Sequence, residues 1–180
     1  DTFTDLGILM VLIIILVFIV MAAQFESLVD PFVIMFSIPF AFTGIVLGLA
    51  VTQTPLGVMA LIGVIMLMGI VVKNGIVLID YTILCRERGM GIITSVVTAG
   101  KSRLRPVLMT TLTTVLGMIP MAVGTGEGSE MWRSMGMTVA WGLSVSTLIT
   151  LIIVPTVYAV CSANGVKRRR RKIRKALRNN

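Results

Sequence analysis

Five long apolar segments constrain the fold of this chain more than any other feature. Each runs for about 18 residues or more, and about 20 helical residues are needed to cross the hydrocarbon core of a bilayer. The segments do not alternate between apolar and polar residues, as the strands of a membrane barrel would. We therefore predict an all-α, polytopic transmembrane helix bundle, with spans at about 6–23, 32–51, 56–79, 106–123 and 136–160.

The composition supports a membrane protein and excludes several classes of enzyme. Hydrophobic residues make up 56% of the 180 residues and charged residues 13%, whereas soluble domains have about 25% charged residues. The absence of histidine removes Ser-His and Cys-His catalysis and imidazole metal sites. Cys85 and Cys161 lack the spacing of a zinc site. These counts exclude histidine-dependent catalysis, and we predict no bound metal.

The net charge of +8 has an uneven distribution along the chain. Residues 1–166 carry seven basic and eight acidic residues, whereas residues 167–180 carry nine basic residues and no acid. Such a basic tail could bind nucleic acid by charge alone. Beside a membrane span, anionic lipid is the commoner partner. We predict that the tail contacts membrane lipid, and we expect no nucleic acid as a partner.

The basic residues also predict the orientation of the spans. One side of the membrane would receive segments 24–31, 80–105 and 162–180, with 14 Lys and Arg residues, and the other side would receive only Arg133. The positive-inside rule places the 14 in the cytoplasm. The basic tail is then cytoplasmic, and an extracytoplasmic segment should precede residue 1. The chain is therefore expected to be the C-terminal portion of a longer protein.

Two connections carry further local signals. Segment 91–99 is moderately apolar between basic ends, which predicts a helix lying along the cytoplasmic interface. Segment 124–135 is polar and rich in glycine, which predicts a tight external turn. Ser134, just before the fifth span, is the candidate N-cap of its helix.

Lys73 is the residue least expected inside a membrane span. It lies about six residues, or roughly 9 Å, from the cytoplasmic end of the third span, and a lysine at such depth costs on the order of 2–3 kcal/mol. Its ammonium group either snorkels to the interface or pairs with carboxylates inside the membrane, and we favour pairing. Asp80 is about 10 Å away along the axis, too far for direct contact. The partner is therefore expected outside these 180 residues.

Small and hydroxyl-bearing residues accompany Lys73. Gly63 and Gly69 are placed on the lysine side of the third span, where they would permit close approach of another helix. In the fourth span, Thr110 shares a face with further threonines and Gly117. Such hydroxyls most often bond to the carbonyl four residues earlier or to a neighbouring helix. The same groups would serve a proton or water path.

Four segments of the sequence together resemble one transporter family. They are GIVVKNGIVLIDY (69–81), RLRPVLMT (103–110), GMIPMAVGTGEG (117–128) and AAQFESLVDPFVIMFSIPF (22–40). They resemble the resistance-nodulation-division (RND) transporters, specifically the hydrophobe/amphiphile efflux pumps of the acriflavine-resistance type. The resemblance covers residues 1–166 and implies that the five spans are the last five of twelve.

The resemblance also implies a function, a set of site residues and partners. Lys73 matches a lysine that interacts with two aspartates of the N-terminal half, which this sequence lacks, and Asn74, Thr110 and Arg103 match further members of the proton relay. The implied activity is drug:proton antiport in the bacterial inner membrane, driven by the proton gradient, so we expect a secondary transporter rather than an enzyme and no cofactor. The implied partners are hydrophobic small-molecule substrates, two further copies in a homotrimer, a periplasmic adaptor and an outer-membrane channel. Heavy-metal pumps differ at the Lys73–Asn74 position, so drug-type export fits better.

Two alternatives to the drug pump remain open at this point. One is a membrane scaffold or lipid-binding module that does not pump, in which Lys73 is a tolerated snorkelling residue. The other is a relative that moves lipids or proteins by the same proton chemistry. The sequence preceding residue 1 would discriminate between the pump and the scaffold, because two periplasmic domains and a helix with paired aspartates would favour the pump and their absence would favour the scaffold.

Overall fold

A computed structural model describes the backbone of residues 2–178 and the side chains of residues 2–163. Within residues 2–178 every element of regular structure is helical. The helices are α1 (Thr2–Phe25), α2 (Val29–Met35), α3 (Ile38–Thr52), α4 (Val58–Glu87), α5 (Ile92–Val123) and α6 (Ser129–Arg178). The side chains of the predicted basic tail, 167–180, lie outside the described range.

Five segments are long and apolar enough to cross a membrane. They are Thr2–Phe25, Val29–Thr52, Val58–Glu87, Ile92–Val123 and Ser129–Ala163. Four of them contain one of the predicted apolar segments completely, and Val58–Glu87 covers the fifth, 56–79, except for its first two residues. The prediction of an all-α bundle with five spans is therefore confirmed.

The second span consists of two helices rather than one. Helix α2 ends at Met35 and α3 begins at Ile38, which places Pro39 in the first turn of α3. Proline is well tolerated there, because the first amides of a helix have no carbonyl partner within the helix. At the break, the Ser37 hydroxyl donates a hydrogen bond of 2.6 Å to the Ile34 carbonyl. The proline is therefore at the start of a helix, whereas the sequence placed it within a continuous span.

The predicted interfacial helix, 91–99, is not a separate element. It is the beginning of α5, which continues without a break from Ile92 to Val123 through Pro106. The basic residues that follow this segment suggested a boundary between two helices. Charge marks where a chain leaves the hydrocarbon, but it does not interrupt backbone hydrogen bonding. The position of 91–99 along the membrane interface stays a prediction.

The prediction that Ser134 caps a helix is wrong. Helix α6 begins at Ser129, directly after Gly128, whose φ of 80° is in the left-handed region that glycine adopts readily. Ser134 is therefore inside the helix, and its hydroxyl donates to the Pro55 carbonyl at 3.4 Å. The residue links α6 to the loop between α3 and α4.

Helix α6 is the centre of the bundle and packs against α3, α4 and α5. Leu143 of α6 and Leu67 of α4 are fully buried in this core. Helix α1 lies at the edge, because Met21 is its single buried residue among those described. The bundle therefore exposes nearly all of α1 and large parts of α5, as expected for helices that face lipid or other protein.

Candidate functional site

Lys73 lies on the outer face of α4, away from the other helices of this chain. Its side chain is exposed, as are those of Met66 and Asp80 on the same helix, whereas Val71 and Val72 beside it are buried. A lysine at membrane depth is expected to face protein or a water-filled path. The exposed position therefore agrees with a partner outside this chain, and the identity of that partner stays a prediction.

The glycines of α4 divide between the packed and the open face. A Cβ atom added to Gly69, one turn from Lys73, would meet nothing within 4 Å. A Cβ atom added to Gly63 would lie 3.2 Å from the Met135 carbonyl oxygen of α6. The prediction that Gly63 lies on the lysine face is thus wrong. Gly63 is ten residues before Lys73, and at about 100° per residue this spacing places the two about 80° apart around the helix axis. Gly69 alone of the two leaves room for another helix beside the lysine.

Asn74, the residue after Lys73, lines a small cavity inside the bundle. The cavity lies between α4, α5 and α6 and is lined by Asn74, Ser146, Thr147 and Thr150 together with apolar side chains. Its volume, taken as the space open to the centre of a water molecule, is about 10 Å³, which is near the minimum for one bound water. The Thr150 hydroxyl is buried and has no hydrogen-bond partner among the described residues.

Arg103 contacts an aromatic ring rather than an acid in the described part of the chain. Its guanidinium carbon lies 4.8 Å from the centre of the Tyr81 ring, within the range of a cation–π interaction. Its Nε is buried and has no hydrogen-bond partner among the residues described. The contact joins α5 to α4, and sequence reasoning missed Tyr81 although it lies in the segment that carries Lys73.

Thr110 is exposed on α5, and its hydroxyl bonds to its own helix. It donates to the carbonyls of Pro106 at 3.1 Å and Val107 at 2.9 Å. The next residue, Thr111, is buried and forms a hydrogen bond of 3.1 Å with Thr147 of α6. Thr110 thus shows the common backbone role of a membrane threonine in this conformation, and the link between helices comes from Thr111.

The four predicted relay residues lie on two packed helices but are not bonded to one another. Lys73 and Asn74 are on α4, and Arg103 and Thr110 are on α5. The contacts described for Arg103 and Thr110 lead to Tyr81 and to the backbone of α5. The described residues contain no group of three or more acidic, cysteine or histidine side chains that could hold a metal ion. The arrangement thus offers an exposed lysine on the outer face of α4, beside a residue that lines a small cavity with three hydroxyl groups.

Comparisons with known proteins agree on a single family. A sequence model described as the AcrB/AcrD/AcrF family matches residues 2–162. The swarming motility protein SwrC of Bacillus subtilis is 42% identical over 161 residues, which is 89% of this chain and 15% of SwrC. The multidrug resistance protein MdtC of Erwinia tasmaniensis is 38% identical over 79% of this chain and 14% of its own.

Metal-efflux proteins are similar to nearly the same degree. The cobalt-zinc-cadmium resistance protein CzcA of Cupriavidus metallidurans is 37% identical over 86% of this chain and 15% of its own. The crystal structure of a heavy metal efflux pump superposes with a TM-score of 0.79 at 29% identity, over 87% of this chain and 15% of that pump. The chain thus spans about one seventh of the length of these relatives.

Proposed function

Because the chain belongs to the AcrB/AcrD/AcrF family of RND efflux transporters, we propose that it is the C-terminal transmembrane part of a proton-driven efflux pump. The pump would lie in the bacterial inner membrane with the C-terminus of this chain in the cytoplasm. A single observation carries the proposal: Lys73, in the middle of an apolar helix, is exposed beside a glycine with open space around it.

The proposed chemistry follows from the charge on Lys73. An opposite charge within about 4–6 Å stabilises the charged form of each partner, so carboxylates from the N-terminal half would lie against this ammonium group. Protonation of those carboxylates would weaken the attraction, and the helices would then shift. Such movement would drive the extracytoplasmic parts of the pump through their cycle, with the proton gradient as the energy source and no cofactor.

The other relay residues have proposed positions around this pair. Asn74 would hold a water molecule or a carboxylate close to Lys73, since it also lines the small cavity that contains the hydroxyl groups of α6. Arg103, held on the Tyr81 ring, would supply a second positive charge. Thr110 would exchange its backbone hydrogen bonds for bonds to water or carboxylate during the cycle, because a hydroxyl rotates freely to suit its partner.

For the substrate we propose hydrophobic and amphiphilic compounds. The Lys73–Asn74 pair supports this class, and the name of MdtC, a multidrug resistance protein, agrees with it. The names of CzcA and of the similar crystal structure favour metal cations instead. A transporter of lipids or proteins is a further alternative within the family. The pump would work as a homotrimer with a periplasmic adaptor and an outer-membrane channel.

The experiment replaces Lys73 with methionine in the full-length transporter. Methionine keeps much of the length and removes the charge, so we expect dye efflux from cells to fall to the level of cells without the pump. Lys101→Met is the matched control, because Lys101 is exposed on α5 and has no place in the relay. Efflux of a hydrophobic cationic dye, with pump abundance measured in the same membranes, gives the readout.

Two results would overturn parts of the proposal. Normal efflux by Lys73→Met at normal abundance would remove the lysine from proton coupling. Zinc resistance conferred by the wild-type pump, together with no dye export, would replace the amphiphile by a metal cation as the substrate class.

A further inference from the structure

A cleft with charged and apolar walls lies at one end of the bundle, and none of the four relay residues lines it. It has a volume of about 560 Å³ and is formed by the end of α1, the start of α2, the end of α4 and the middle of α6. The predicted spans 6–23 and 56–79 end close to this level, so the cleft is expected at the membrane surface. By the positive-inside rule this surface is the cytoplasmic one.

Arg86 is held in the wall of the cleft by two hydroxyl groups. Its Nη1 lies 3.1 Å from the Tyr158 hydroxyl and 3.4 Å from the Ser162 hydroxyl of α6. Tyr158 is almost completely buried, so it fixes the arginine in place. A guanidinium group has five N–H donors in a fixed plane, and these two bonds involve only one of its three nitrogens. The remaining donors suit a phosphate group, which arginine binds through paired hydrogen bonds.

Two acids line the same cleft. Asp30 comes from the first turn of α2 and Glu87 from the end of α4. Among the described residues that line the cleft, these two acids and Arg86 sum to a formal charge of −1, which disfavours a ligand that carries only negative charge. A ligand with both a phosphate and an ammonium group matches all three side chains.

Part of the remaining lining is apolar, beside the hydroxyl groups of Ser27 and Ser162. Phe25 and Ile83 contribute this apolar part from α1 and α4. A cleft that combines an arginine, two acids and apolar walls at the level where the helices leave the hydrocarbon suits an amphiphile whose headgroup stays at the surface. A free polar metabolite would leave these apolar walls uncovered.

We propose that this cleft binds the headgroup of a zwitterionic aminophospholipid, with the phosphate on Arg86 and the ammonium group between Asp30 and Glu87. The site goes beyond the proposed pumping function and does not depend on Lys73. A lipid held there would join α1 and α2 to α4 and α6 on the cytoplasmic side.

The test measures lipid bound to the full-length transporter in nanodiscs that contain equal parts of phosphatidylethanolamine and phosphatidylglycerol. We expect Arg86→Gln to lower the amount of phosphatidylethanolamine bound to the transporter itself by about tenfold, because the charge-assisted hydrogen bonds to the phosphate are lost. Arg88→Gln is the matched control, because Arg88 is the exposed C-cap residue of the same helix. It should retain lipid like the wild type.

A second variant distinguishes loss of lipid binding from misfolding, which Arg86→Gln could also cause because Arg86 links α4 to α6. Glu87 is exposed, and Glu87→Gln should leave the fold intact while shifting the preference from phosphatidylethanolamine toward phosphatidylglycerol. Free phosphoethanolamine at millimolar concentration should not displace the lipid, because it lacks the apolar part. The proposal is overturned if Arg86→Gln retains lipid as the wild type does, if the wild type prefers phosphatidylglycerol, or if the free headgroup competes fully.

Discussion

At the scale of single residues, the hydroxyl pair of Thr111 and Thr147 provides a direct test of how α5 and α6 are joined. Both residues are buried and their oxygens are 3.1 Å apart. Thr147→Val keeps the volume and removes this bond, so we expect a loss of about 0.6 kcal/mol, the average for hydrogen bonds between membrane helices. Unfolding of the purified full-length protein in mixed micelles would measure this loss in the free energy of unfolding.

Thr113→Val is the control, because this exposed hydroxyl bonds only to the Met109 carbonyl of its own helix. An equal loss in the control would contradict the conclusion that the Thr111–Thr147 hydrogen bond stabilises the packing of α5 on α6.

Residues differ in how far the sequence alone predicts their surroundings. Lys73 could be predicted as an unusual membrane residue, because its apolar context is visible in the sequence itself. The contact between Arg103 and Tyr81 could not, since it depends on how α4 and α5 pack. The cavity behind Asn74 was missed for the same reason, because its hydroxyl groups come from α6.

At the scale of helices, the close approach of α3 and α6 depends on Gly48. A Cβ atom added there would overlap Trp141 Cβ and lie 2.5 Å from its Cγ, and neither atom can move without moving the α6 backbone or the indole ring. We expect Gly48→Ala to destabilise the bundle by about 1–3 kcal/mol, as overpacking of a core does. Thermal unfolding of the purified full-length transporter in detergent would detect it.

A matched substitution separates overpacking from a general effect of alanine. A Cβ atom added to Gly117 of α5 would meet nothing within 4 Å, so Gly117→Ala should be neutral or stabilising by up to about 1 kcal/mol through helix propensity. If both alanine variants unfolded at the wild-type temperature, the packing of α3 on α6 would be looser than the structure shows.

Helix positions were more predictable than helix ends. Apolar length identifies a span because the bilayer fixes the number of residues required. It says little about where the hydrogen-bonded helix stops. For that reason α5 extends well before its apolar part, and the break before Ile38 was missed.

At the scale of the whole molecule, the spans could be predicted but their arrangement could not. Helices that are apolar on all sides carry no amphipathic signal to show which face is buried. The central place of α6 therefore emerges only from the structure. The same holds for the open face of α4, which the sequence indicated only through Lys73, its missing partner and the glycine one turn away.

That open face leads to a prediction about the complete transporter. A side chain added at Gly69 would meet nothing in this chain, so Gly69→Leu should leave the packing of these five spans unchanged. If a helix of the N-terminal half lies against Lys73, the leucine would hold that helix away, and we expect proton-driven efflux to be largely lost at normal pump abundance. Gly7→Leu in α1 is the control, because a Cβ atom there also meets nothing within 4 Å, and it should pump normally. Efflux by Gly69→Leu at the wild-type rate would mean that no closely packed helix covers the lysine, and the carboxylate partners would then have to reach Lys73 across water.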